Sequence, residues 1–397
     1  MEEKVSYSFL ESACREETNA EKYALRKEVF DTEDVLPVWV ADMDINTPDF
    51  VLDSVKKRLE HPIVGYEEVP NSAFEAQIDW MRTEHGVSFK REDMLYSHSV
   101  VASMNVVIEA FTNIGDKVIV QTPVYSPFFH SVTQAKRKVL TNQLLQREDG
   151  SYTFDMEDLK SRVDSSTKLL LLCSPHNPVG RVWKKDELQA ILEFCLEHNI
   201  VVFSDEIHSD LVYDSNKHIP FASLSQEAKD ISITAVGVGK TFNMAGFAMS
   251  SVAIANKDLQ IRFKEVYERI HFAQGSSLSH VAFEAAYKNG KPWLEALKKH
   301  LYDNYKTLED ICSKYPSLVK ITPIEATYLA WIDCRGMGLK DKALREFFIY
   351  EAKLGLNAGL SFGKAGSGFM RLNFAVSSAK MLAIKTRLEN ALNNYRK

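Results

Sequence analysis

Residues 168–180 read KLLLLCSPHNPVG: an apolar run that stops abruptly in a serine, a proline, an amide and a glycine. The leucines follow one another without polar alternation, which fits a strand covered on both faces, since a half-exposed strand alternates. Working outward, runs of the same kind stand at Lys117–Thr122 (KVIVQT), Ile200–Ser204 (IVVFS), Ile231–Val236 (ISITAV) and Ser251–Ala255 (SVAIA). Between them lie amphipathic stretches such as Lys185–His198, where Leu188, Ile191, Leu192 and Cys195 recur at helical spacing. Strand alternating with helix implies an α/β domain with a mainly parallel sheet between helical layers.

Both ends of the chain read differently. Toward the C-terminus, helices at Pro292–Tyr315 and Asp341–Lys353 surround short strands at Tyr328–Cys334 and Phe369–Phe374, the pattern of a smaller α+β domain. The start, with Pro37, Pro48 and the run PVWVADMD, reads as an arm. The expected division is an arm over 1–48 belonging to the small domain, a large domain over 49–288 and a small domain over 289–397.

The 397 residues carry a net charge of -6 with acids and bases intermixed, and no basic stripe of the kind that neutralises phosphates. Nucleic acid is therefore not an expected partner. Five scattered cysteines (Cys14, Cys173, Cys195, Cys312, Cys334) form no CxxC pair, so no metal site is expected and reduced thiols in the cytoplasm are. MEEKVSYSFLES is acidic and lacks the apolar centre of a signal peptide, and no run approaches the roughly 18 apolar residues of a membrane span.

Open α/β sheets bind ligands beyond the carboxyl ends of their strands, so the residues that follow each strand are the place to look for chemistry. After KVIVQT comes Tyr125; after KLLLLCS, Asn177; after IVVFS, Asp205-Glu206-Ile207-His208; after ISITAV, Gly237-Val238-Gly239-Lys240-Thr241. Taken singly, each has a plainer role. Asn-Pro marks a turn, a strand-end aspartate caps a helix, and a tyrosine sits on a rim. Together they bring an ammonium, a carboxylate, an amide and an aromatic ring to one sheet edge.

The ordered set NPVG, SDEIH, GKTFNMAG and MRLNFA resembles the fold-type I aminotransferase superfamily of pyridoxal-phosphate enzymes over essentially the whole chain. The resemblance implies that Lys240 carries pyridoxal 5′-phosphate as a Schiff base and that Asp205 pairs with the ring nitrogen. It implies that Tyr125 stacks on the ring, that Asn177 reaches the phenolic oxygen and the substrate, and that Arg371 grips the substrate carboxylate. The N–H groups of Val100 and Val101 are expected at the phosphate, and Tyr66 is expected to reach it from a second subunit, which makes a homodimer with shared sites.

Two departures stand out. Many relatives place hydroxyl residues where this chain has Gly237 and Gly239, which leaves the phosphate to backbone amides, Thr241 or Tyr66. Aminotransferases commonly have a tyrosine three residues after the aspartate; here it is His208. DEIH, with PVWVADMD, SPHNPVGRVW and KTFNMAG, resembles the C–S lyase branch of cystathionine β-lyases (MalY/PatB type). That branch performs β-elimination on cysteine-type amino acids, and Val40 to Asp42, with Ala41 at the centre, is expected along the substrate.

Other classes fit less well. GVGKT resembles the end of a P-loop, but Thr234 stands where that motif needs a glycine. No GxGxxG opens a helix after a strand, as a dehydrogenase would need. Amino-group transfer shares the first carbanion with elimination and stays open as the alternative; a purely regulatory binding protein is the remote one. Tyr328, Phe362 and Phe369 read as core or as a wall for the leaving group, and the apolar runs around them favour core.

Overall fold

A computed structural model of the chain describes residues 7–213, 216–270 and 275–395. Its largest sheet has seven strands in the spatial order Met94–Ser97, Ser250–Ala253, Ser232–Gly237, Val201–Asp205, Thr167–Cys173, Lys117–Thr122 and Lys138–Gln143. Ser250–Ala253 runs antiparallel to both of its neighbours, and the remaining pairings are parallel. The sheet is therefore mainly parallel, as the uninterrupted apolar runs imply. Leu169 to Leu172 and every residue of Ser232–Gly237 are buried.

Two strands extend beyond those legible in the sequence. Lys138–Gln143 alternates exposed and covered positions, as an edge strand does, and Met94–Ser97 is only four residues long. Helices cover both faces: Val100–Phe111 and Lys257–Arg269 pack in one core cluster and Lys185–Glu197 in another. Helix Lys185–Glu197 matches its expected span to within a residue.

A second sheet of four strands, in the order Lys320–Ile321, Leu329–Asp333, Phe369–Asn373 and Asn357–Ala358, is antiparallel throughout. It packs with the long helix Lys291–Lys314 and the final helix Ser378–Asn394. The helix expected over Asp341–Lys353 changes its winding: α-helical to Glu346, then one wide turn over Phe347–Glu351. The arm crosses between the two sheets. Leu36–Pro37 pairs with Leu354–Gly355, and Asp44 bridges Val376.

Candidate active site

Strand Ser232–Gly237 runs directly into the one-turn helix Val238–Thr241, which swings Lys240 over the carboxyl edge of the large sheet. Its amine Nζ donates to the Ala41 carbonyl at 2.6 Å. Burial lowers the Lys240 pKa to about 8; Asp42 and Asp205 pull it back up, while Arg371 and Lys22 push it further down. A lysine with such a pKa has an appreciable free-base fraction near neutral pH and can serve as nucleophile or base. The adjacent Thr241 points away: it is buried, and its hydroxyl donates to Asp210 Oδ2 at 2.7 Å. The expectation that Thr241 could serve a phosphate is thereby corrected.

Asp205 ends the next strand, Val201–Asp205. Burial raises its carboxyl to about 7, against an N–H bond from Ile207 at 3.2 Å and the charge of Lys240. A carboxylate held this far out of water is completed by a proton-bearing cationic partner. Three residues on, the buried His208 is held neutral, its pKa lowered to about 3 by burial and then by Lys240 and Arg371. Its Nδ1 is buried with no hydrogen-bond partner among the described residues.

Asn177 follows strand Thr167–Cys173 in the NPVG turn, and its Oδ1 accepts from Arg371 Nη1 at 3.1 Å. Arg371 comes from strand Phe369–Asn373 of the smaller sheet. Its Nη2 donates to the Trp39 carbonyl at 2.8 Å and to Asn357 Oδ1 at 2.7 Å. Phe362 lies beneath the guanidinium, 4.8 Å from ring centroid to Cζ, and the buried Nε has no hydrogen-bond partner among the described residues. Burial lowers the Arg371 pKa to about 10, so it remains a cation at neutral pH. Phe362 thus supports the guanidinium of Arg371, whereas Phe369 stacks on Trp331 at 5.0 Å within the core. Tyr328 reaches the site through its hydroxyl, which donates to the Ala41 carbonyl at 2.8 Å.

These groups face a cavity of about 190 Å³ lined by Ala41, Val100, Val101, Tyr125, Asn177, Asp205, His208 and Lys240. Arg371 stands just behind Asn177. Tyr66 is not brought to this cavity; it is fully exposed on the surface of the chain. The residues that sequence reasoning missed include Ser99, Cys173, Met249 and Ser250. Val100 and Val101 open the helix Val100–Phe111 beneath an N-cap by Ser99, whose side chain accepts from the Ala102 N–H. Unpaired N–H groups at such a start receive an anion.

Ser250 explains the glycine at 237. A Cβ on Gly237 would stand 2.8 Å from the Ser250 Cβ, so the two strands approach too closely for a side chain there. Ser250 lines the cavity from the neighbouring strand, its hydroxyl donating to the Ser97 carbonyl at 3.2 Å.

The cavity matches a planar ligand with an anionic end at Val100 and Val101, a ring beside Tyr125, a basic nitrogen at Asp205 and a carbonyl at Lys240. Pyridoxal 5′-phosphate has those four features, and the buried carboxyl of Asp205 fits its ring N–H. Residues 42–387 match the family model for aminotransferase class I and II. The chain belongs to that family. Among curated relatives of this aminotransferase-family chain, cystathionine beta-lyase PatB of Bacillus subtilis is 39% identical, the match covering 94% of this chain and 97% of the relative. Protein MalY of Escherichia coli is 32% identical over 92% and 94%. Among solved structures, cystalysin of Treponema denticola, which contains pyridoxal 5′-phosphate, superposes with a TM-score of 0.95 at 34% identity, covering 99% of this chain and all of that one. The fold is that of the family.

Proposed function

We propose that this member of the family is a pyridoxal-phosphate-dependent C–S β-lyase that converts cysteine-type thioethers, L-cystathionine among them, into a thiol, pyruvate and ammonia. The observation that carries the reading is the meeting, in one cavity, of a lysine amine lowered to about 8 and a buried carboxyl raised to about 7, beside an arginine–asparagine pair. The choice of elimination rests on the likeness to named cystathionine β-lyases along nearly the full length, together with His208 in the place of the tyrosine common in aminotransferases.

Arg371 and Asn177 bind the substrate carboxylate and fix the α-carbon, and Phe362 supports the guanidinium from beneath. Lys240 takes the α-proton onto Nζ as general base. Bound pyridoxal phosphate supplies the electron sink for the carbanion, and the β C–S bond then breaks with its electron pair leaving on sulfur. Asp205 keeps a proton on the partner it faces, and Tyr125 bounds the ring's flank. His208, neutral, adds no charge that would compete with Asp205 for it. Val100, Val101, Ser99 and Ser250 hold the anionic end.

Tyr66, Ile63 and Val64 are exposed by 106%, 67% and 59% on one loop. We assign this loop to a homodimer interface that carries Tyr66 to the partner's cavity. The division into an arm over 1–48, a large domain over 49–288 and a small domain over 289–397 agrees with strands of the large sheet at 94–253 and of the small sheet at 320–373. No helix among the described residues is long and apolar enough to cross a membrane. Four buried free cysteines suit the reducing cytoplasm.

The test is to supply an S-alkyl-L-cysteine with no 2-oxo acid and follow free thiol. Sustained release supports the reading. Absence of thiol, with amino-group transfer beginning once a 2-oxo acid is added, replaces the lyase by a transferase.

A further inference from the structure

The arm segment from Trp39 to Ile45 has an unusual hydrogen-bond inventory. Apart from Asp44, which bridges Val376 through its backbone, its carbonyls are taken up by side chains, not by a neighbouring strand. Trp39 accepts from Arg371 at 2.8 Å, Val40 from Asn373 at 2.6 Å, and Ala41 from Lys240 at 2.6 Å and Tyr328 at 2.8 Å. Asp42 accepts from Asn373 at 2.6 Å and Lys22 at 3.0 Å, and Asn243 holds the carbonyls of Met43 and Ile45 at 3.0 and 2.7 Å. One amide nitrogen, Asn373 Nδ2, thus grips the residues on either side of Ala41. Asn373 is fully buried, its Oδ1 accepts from the Ala375 N–H, and it lies two residues beyond Arg371 on the same face of the strand.

The other side of the segment is pinned by charge. Lys22 is fully buried, with Nζ 2.8 Å from Asp42 Oδ1 and 3.5 Å from Asp44 Oδ2. Arg15 bridges both carboxylates at 2.6 and 2.9 Å, and Lys380 meets Asp44 at 2.8 Å. A buried ion cluster is a poor source of net stability and a good means of fixing one geometry. What it fixes here is the carbonyl that touches Lys240.

We propose that the Ala41 carbonyl receives the freed, proton-carrying amine of Lys240 during turnover, and that Asn373 and Lys22 are positioning residues that hold the carbonyl in place. This rests on the assignment of Lys240 as the base. When the α C–H bond breaks, the proton joins Nζ and the electron pair stays with carbon. A carbonyl oxygen can only accept, so it binds the resulting ammonium more strongly than the neutral amine. It keeps the loaded base beside the substrate without placing a carboxylate, which could take the proton away. The charged and titratable groups around Lys240 are Asp42 and Lys22 on the arm, Asp205 and His208 beyond their strand, and Arg371 and Tyr328 from the small sheet.

Ala41–Asp42 is the sole Ala–Asp step in the sequence, so pairing ¹³C-carbonyl alanine with ¹⁵N-aspartate gives one carbonyl resonance for this site. In wild-type protein freed of cofactor, that resonance is expected to titrate with a midpoint of about 8, and Lys240→Met is expected to abolish the step. In Asn373→Ala the step should shrink to under about half, with the midpoint down by roughly half a unit, and the loaded enzyme should lose about tenfold in kcat with KM little changed. Asn373→Ser, which keeps a short donor, is the milder variant if the alanine form does not fold; Lys22→Met should likewise shrink the step, while its midpoint rises because a neighbouring positive charge is gone. A step that survives Lys240→Met, or a step and midpoint untouched in the Asn373 and Lys22 variants, overturns the proposal. Failure of the lyase reading would show in the products and leave this titration unaltered.

Discussion

Arg371 of the small sheet and Asn177 of the large one meet directly, Nη1 to Oδ1 at 3.1 Å, so the proposed carboxylate grip spans two parts of the fold. The guanidinium also carries Trp39 and Asn357 on Nη2. A lysine at this position cannot reproduce that planar set. Arg371→Lys is expected to lower kcat/KM by about 100-fold, mostly through KM, while cofactor absorbance is retained. Steady-state kinetics checks the split; a fall in kcat alone would assign the arginine elsewhere.

The buried carboxyl of Asp205 makes the stability of the cofactor-free protein depend on pH. Its folded pKa of about 7 lies above the ordinary 3.8, so the folded state binds the proton more tightly. The stability this contributes is complete below about pH 4, declines between about 4 and 7, and is absent above. Asp205→Asn should therefore raise the melting temperature of the apo-protein by a few degrees at pH 8 and hardly at all at pH 4. Differential scanning fluorimetry of apo-protein across that range is the check. With cofactor bound, the same substitution should weaken binding, because the ring N–H loses its anion.

Gly237→Ser restores the residue type common in relatives but meets Ser250 Cβ at 2.8 Å. It is expected to destabilise the fold by about 1–3 kcal/mol and to weaken cofactor binding rather than improve it. Ser250→Ala should leave melting nearly unchanged and raise the cofactor dissociation constant. Equilibrium dialysis against pyridoxal phosphate separates the two effects.

If Tyr66 serves the partner's site, two inactive variants can repair one another. Tyr66→Ala mixed with Lys240→Ala, unfolded together and refolded, gives hybrids in which one site has both residues intact. About a quarter of wild-type activity is expected from random pairing of two-fold dimers. No recovery, with dimers shown to exchange, would place Tyr66 outside the site.

Much of this arrangement is legible in the sequence because a parallel sheet delivers its chemistry in order. Tyr125, Asn177, Asp205 and Lys240 each follow their own strand and line one cavity. Ser250 escaped that reading for a geometric reason: its strand runs the other way, so the residue at the site edge opens the strand. Asn357 and Asn373 escaped because their partners, the Arg371 guanidinium and the carbonyls of Val40 and Asp42, lie more than a dozen residues away, and spacing alone carries no trace of such bonds. The change of winding at Phe347 keeps an apolar helical pattern, so composition does not reveal it. The glycine at 237 was visible as a departure, but its cause lay in a strand pairing that only coordinates display.

The most direct test of the central claim is product analysis on L-cystathionine, with no 2-oxo acid present, using wild-type protein and Lys240→Ala. The expected result is homocysteine and pyruvate in equal amounts from the wild type and neither from Lys240→Ala. Cysteine with 2-oxobutyrate, which marks elimination at the γ-carbon, or an absence of both thiols from cofactor-loaded protein, would contradict a β-lyase built on Lys240.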